Sequence, residues 1–190
     1  MKMHINTFLA NLGIAAHPGL RVASDQEGYR NYTFGCRVVY GKPAVKHLAH
    51  ELAHAAQFGP RYFRYRAFDY GFNFRLRKVY ILGQYYAEPR TAQATRRELE
   101  TFAYQAHLME LAGVKFCRDT LFRHAAGVLT RFMADWHCVP GKSDVERRAW
   151  CVEQVNAYYA RRKPETVLRR LTGWLDETEK YLAEQGEYQQ

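Results

Sequence analysis

His50-Glu51-Leu52-Ala53-His54 is an H-E-x-x-H within Lys46–Phe58, a run rich in the strong helix formers Ala and Leu. At 3.6 residues per turn His50 and His54 lie one above the other on a single face, so both imidazoles can reach one metal ion. Glu51 sits about 100° around the helix from His50, placed to move protons at such a centre without being a ligand. The alternative is a pair of core histidines beside a solvated Glu. The helical context favours the metal centre.

Two imidazoles do not fill a metal's shell. A third protein ligand must come from a later element, with a position left open for chemistry. The helical stretch Thr91–Leu111 supplies the candidates. Glu100 and Ala103 form an E-x-x-A, in which the small residue lets this helix pack closely beneath the metal helix, and this favours Glu100. Glu98 is the competitor; the two acids point about 200° apart, so only one can face the metal. His107, seven residues after Glu100, and His47, aligned with His50 and His54, are weaker alternatives. Two His and one carboxylate suit Zn(II) in a hydrolase whose Glu51 activates bound water. They equally suit Fe(II), as a facial triad with open positions for oxygen.

The elements that must hold this centre follow from periodicity and breakers. Residues 4–14 predict a short helix ended by Gly13, then a loop through His17-Pro18-Gly19. Val22–Tyr29 reads as polar and turn-like, while Tyr32, Phe34, Cys36, Val38 and Tyr40 alternate as one half-buried strand closed by Gly41. Pro43 is suited to the first turn of the metal helix, and Gly59-Pro60 to its end. Arg61–Phe74 is dense in aromatic rings without a deciding period; Tyr65 or Tyr70 is able to supply a hydrogen-bond donor there. Lys78–Tyr86 suggests an extended piece, and Glu88-Pro89 a loop. Further helices are expected over 118–135, 143–161 and 165–186, with Ser143 and Glu146 as a capping box and Gln185–Gln190 frayed. The expected fold is α+β and mainly helical: a zincin-like metal-binding helix pair with a small β-sheet and C-terminal helices. One domain spans 1–190, with the metal-binding core in 1–112 and a helical part in 113–190.

The chain has 190 residues, of which 47% are hydrophobic and 15% aromatic, which argues against wholesale disorder. Its net charge of +9 favours acidic macromolecules as partners. No nucleic-acid module pattern accompanies the basic clusters, so nucleic acid is the less favoured partner. Met1–Asn6 lacks the apolar run of a signal peptide, and no span reaches transmembrane length. Cys36, Cys117, Cys138 and Cys151 are widely spaced and read as reduced thiols of a cytoplasmic protein.

Beyond the motif, Arg66-Ala67-Phe68-Asp69-Tyr70-Gly71-Phe72 resembles the Asp-aromatic-Gly-aromatic segment of the bacterial elongation factor P hydroxylases. The resemblance continues through the Glu98/Glu100 helix with Gln105-Ala106, then Ala112-Gly113-Val114-Lys115-Phe116. It ends with Gln154-Val155-Asn156-Ala157-Tyr158, Pro164 and a Leu-rich closing helix. It covers most of the chain after about residue 45; Phe74–Tyr86 and the residues before 40 lie outside it. It implies an Fe(II)-dependent monooxygenase that hydroxylates a lysine-type side chain on an acidic protein such as elongation factor P. His50 and His54 would be its histidine ligands and Glu98 or Glu100 its acidic one; the match at Gln105-Ala106 aligns Glu98, the E-x-x-A spacing Glu100. A zinc metallopeptidase of the glutamate-zincin type and a non-catalytic basic binding protein on the same scaffold are the alternatives. No nucleotide-cofactor fingerprint identifies an electron donor.

Overall fold

A computed structural model of the chain describes residues 3–24, 32–34, 37–40, 45–57, 59, 92–132 and 139–184. The aromatic run 61–74, the 78–86 piece, the loop at 88–89, Gly41, Pro43, Cys36, Cys138 and the tail 185–190 lie outside the described residues. In chain order the elements are α1 (Ile5–Asn11), β1 (Val22–Ser24), β2 (Tyr32–Phe34), β3 (Arg37–Tyr40), α2 over 45–57, α3 (Ala92–Leu111), α4 (Arg118–Phe132), α5 (Asp144–Arg161) and α6 (Pro164–Glu184). The described part is mainly helical.

Helix α2 explains the arrangement. Its Leu48, Ala49, Leu52, Ala53, Ala55 and Ala56 are all 0% exposed. A helix buried over most of its surface must lie inside the protein, and α3 and α6 both bond to this one. Helix α3 runs antiparallel to it: Gln105 meets the Lys46 end of α2, Thr101 meets His54, and Gln57 reaches the Arg97 carbonyl. Ala103 and Ala106 of α3 are fully buried. Helices α4, α5 and α6 all pack on α3, and α4 also packs on α5. One apolar cluster includes Phe8 and Leu12 of α1, Leu48 of α2, Leu108 of α3, Phe122 of α4, Val155 of α5 and Trp174 of α6.

The helix ends follow their expected chemistry. Gly13 and Gly113 have φ of 71° and 70°. Each closes a Schellman turn, with Gly13 N–H on the Ala10 carbonyl and Ile14 N–H on Leu9, then Gly113 N–H on Glu110 and Val114 N–H on Met109. Ser143 caps α5 by accepting from the Glu146 N–H, and the Glu146 carboxylate accepts from the Ser143 N–H, completing the box. Arg170 of α6 donates to the carbonyls of Ala56 and Gln57, two of the α2 C-terminal acceptors that no further helical turn can satisfy.

The N-terminal half departs from expectation in two places. The run from Tyr32 to Tyr40 is not one strand: β2 and β3 are antiparallel, with Phe34 opposite Arg37 and Tyr32 opposite Val39. An alternating run cannot distinguish one long strand from two paired short ones, because both keep period two. Val22–Ser24, read as turn-like, is strand β1, which pairs in parallel with β3 to give the order β1-β3-β2. Pairing with a neighbour decided it where local composition did not. Before β1, the His17–Gly19 loop lies on α6, where a Cβ at Gly19 would meet the Leu175 carbonyl oxygen at 2.0 Å.

Candidate metal centre

His50 and His54 project from one face of α2 with rings 4.8 Å apart, edge to face. Their Nε2 atoms converge on one carboxylate. His50 Nε2 lies 3.0 Å from Glu98 Oε1 and His54 Nε2 lies 3.6 Å from Glu98 Oε2. The structure therefore brings Glu98, not Glu100, to the histidine pair. Glu100 faces elsewhere, its carboxylate accepting from Gln57 Nε2 at 2.9 Å and Tyr104 OH at 3.2 Å. His107 is also directed away from the centre: its Nε2–H donates to the Tyr159 carbonyl and its ring stacks on Tyr159 at 4.2 Å. His47 Nδ1 is buried without a hydrogen-bond partner. Burial, then the neighbouring His50 and His124, hold its pKa below the usual histidine value.

The far nitrogens of both imidazoles are fixed from α3. Gln105 Nε2 donates to the Lys46 carbonyl at 3.0 Å, which turns Gln105 Oε1 toward His50 Nδ1, 3.2 Å away. An amide oxygen only accepts, so His50 Nδ1 carries a proton. Thr101 Oγ1 donates to the Arg97 carbonyl at 2.9 Å and so accepts from His54 Nδ1–H at 3.1 Å. The two rings thus point Nε2 at Glu98, the orientation in which metal-binding histidines are held by an acceptor on the other nitrogen. Phe102, one turn after Glu98, packs on the His50 ring with centroids 4.6 Å apart.

Charge in this buried group is shared unequally. Burial opposes a charged His50, but the adjacent Glu98 carboxylate, with help from Glu51 and Gln105, outweighs it and raises the pKa to about 9. Burial lowers His54 to about 4; Glu98 pulls the other way, and the His50 charge adds to the lowering. Burial alone would raise Glu98, yet His54 and His50 bring it down to about 2. The balance favours an ionised Glu98, a His50 protonated on both ring nitrogens and a neutral His54.

These donors fit a divalent cation. Ligand atoms each about 2.1 Å from an ion lie roughly 3.0–3.4 Å from one another in octahedral or tetrahedral shells. The two Nε2-to-Glu98 separations, 3.0 and 3.6 Å, bracket that span. Glu51 is 3% exposed, and donor atoms of His50, Glu51 and His54 all lie within 4.8 Å of one another. Two carboxylates, Glu51 and Glu98, thus lie close to the imidazole pair.

Gln105 was singled out in the sequence only within the resemblance, and Thr101 not as a site residue. The signal for both is their spacing. Glu98, Thr101 and Gln105 follow i, i+3, i+7, so polar residues recur on one face of an otherwise buried helix. No family model, no curated protein and no solved structure matches this chain.

Proposed function

We propose that this protein is a metal-dependent enzyme with His50, His54 and Glu98 as its ligands. We take its reaction to be Fe(II)-dependent hydroxylation of a lysine-type side chain on an acidic cytoplasmic protein, elongation factor P being the type of substrate. The observation that supports the metal reading is the convergence of both Nε2 atoms on the Glu98 carboxylate, with Thr101 and Gln105 holding the far nitrogens. The resemblance to the elongation factor P hydroxylases supports the choice of reaction and substrate. Iron in this two-His, one-carboxylate set would supply oxygen chemistry, whereas zinc would supply Lewis acidity.

The chain's own contributions are positioning, exclusion of water and proton management. Gln105 and Thr101 fix the ring tautomers and Phe102 shields the His50 ring. Glu51, buried next to His50, takes or returns protons at the reacting group. Hydroxylation places one atom of O2 in a C–H bond and reduces the other to water, so an external reductant supplies the two electrons. Surplus Lys and Arg draw the acidic substrate in.

The burial of Glu51 and its closeness to both histidines favour one second reading, a zinc metallopeptidase with Glu51 as general base. Metal analysis of anaerobically and aerobically prepared protein, with mass spectrometry of an elongation factor P substrate, separates the two. Iron, with a gain of one oxygen atom on the substrate that requires His54, is the expected result. Zinc, with peptide cleavage lost on Glu51→Gln, would establish the peptidase instead.

A further inference from the structure

The seam between α4 and α5 carries a groove of about 550 Å³, within the range of ligand-sized clefts. Arg123 and Ala126 line it from α4, and Arg148, Ala149, Val152, Glu153 and Asn156 from α5. Those spacings are one stripe of each helix. Its apolar lining is small: buried Ala126, half-buried Val152 and the more open Ala149. One turn before Ala149 on the same helix, Val145 is 78% exposed, the one large hydrophobic among the described residues to be so open. On the rim, Arg123 and Arg148 are exposed, and among the described residues neither guanidinium enters a hydrogen bond or ion pair.

We propose that this groove docks an acidic amphipathic segment of a partner protein, its apolar side chains on the Ala126–Ala149–Val152 lining and its carboxylates on Arg123 and Arg148. Charge complementarity argues for that occupant. A guanidinium presents a planar fork of donors that matches a carboxylate, and two of them line the groove against a single acid, Glu153, which forms no ion pair with either among the described residues. The net charge of +9 steers acidic chains toward the molecule before contact. Single-stranded nucleic acid fits less well, since no aromatic ring lines the groove for base stacking. This docking stands apart from the metal chemistry.

The test is fluorescence anisotropy on the full chain with a labelled peptide of Glu and Leu at helical spacing, and its Lys-for-Glu counterpart as control. Three variants accompany the wild type: Arg123→Glu with Arg148→Glu, which reverses the rim; Ala149→Trp, which fills the groove without altering charge; and Arg169→Glu, an exposed charge on α6 outside the groove. The acidic peptide should bind and weaken with added salt. The rim and lining variants should each lose roughly tenfold or more in affinity, and Arg169→Glu less than about twofold. If the rim reversal does not fold, Arg123→Gln with Arg148→Gln takes its place, and circular dichroism establishes folding in every case. Unchanged binding by Ala149→Trp would overturn the proposal. So would an equal loss from Arg169→Glu, or tighter binding of a single-stranded oligonucleotide lost in the same variants.

Discussion

An imidazole has two ring nitrogens with different duties, and here α3 assigns both. Gln105 and Thr101 each accept a hydrogen bond from an Nδ1–H, leaving the Nε2 side of both rings to Glu98. Removing either acceptor while preserving shape should release the ring without unfolding the core. Thr101→Val and Gln105→Leu are each expected to weaken metal affinity about 10- to 100-fold, the usual cost of losing such a partner. Titration of metal-stripped protein checks this; unchanged affinity would show that the rings are held by other contacts. The cysteines separate in the same residue-level terms. Burial pushes the Cys151 thiol up to about 11. Hydrogen bonds at Thr120 draw the exposed Cys117 below the usual thiol value. The neutral thiol of Cys151 is favoured by folding, so its contribution to stability is intact below the unfolded pKa of about 8.5 and lost as pH climbs toward 11. Alkylation mapped by peptide mass spectrometry should modify Cys117 near neutral pH and spare Cys151 until strongly alkaline pH. Equal labelling of the two at neutral pH would contradict that order.

Between elements, the decisive contact is the antiparallel seam of α2 and α3, closed at the end of α2 by Arg170. A charge-assisted pair of hydrogen bonds from a half-buried guanidinium to two helix-end carbonyls is worth about 2 kcal/mol. Arg170→Met should therefore lower the thermal midpoint by about 4–8 °C in a chain of this length, with Arg170→Lys recovering only part. A midpoint unchanged in Arg170→Met would mean that those carbonyls are satisfied otherwise. Much of this level was legible in the sequence. The helix at 45–57 was announced by Ala and Leu content, those at 118, 144 and 164 by breakers and caps such as Ser143, and the glycine stops by Gly13 and Gly113. The choice of acid was not. Ala103 is fully buried, but α3 is packed on several sides, so its burial does not say which helix it faces. Rotation about the helix axis decides which acid faces the histidines, and rotation is set by the whole buried face. Thr101, Phe102 and Gln105 turn toward α2 together, and Glu98 shares their side, while Glu100 is left to Gln57 and Tyr104. The strands fared worse, because runs of three or four residues carry too few alternations to fix register or number.

Across the whole molecule, the metal-binding half and the C-terminal helices share one core. Asn11 of α1 donates to the Ala112 carbonyl after α3, and Trp174 and Leu171 of α6 belong to the same apolar cluster as Leu48 and Leu52 of α2. A second trio, His17, Asp176 and Glu179, also brings donor atoms within 4.8 Å of one another. There, however, Gly19 N–H donates to His17 Nδ1, so the ring proton is on Nε2 and is given to Asp176 at 3.2 Å. That tautomer serves as a latch between the N-terminal loop and α6, not as a ligand. Among the described residues no helix is long and apolar enough to cross a membrane. Because the centre lies inside the shared core, metal binding should stabilise the fold as a unit, by about 2.7 kcal/mol at a hundredfold excess over the dissociation constant. The measurement that bears most directly on this centre is the anaerobic titration of metal-stripped protein with Fe(II) and with Zn(II), in wild type, Glu98→Ala and Glu100→Gln. Wild type and Glu100→Gln should each take up one equivalent with a matching rise in thermal midpoint, and Glu98→Ala should lose both. Full binding by Glu98→Ala with loss in Glu100→Gln would contradict a centre built from His50, His54 and Glu98.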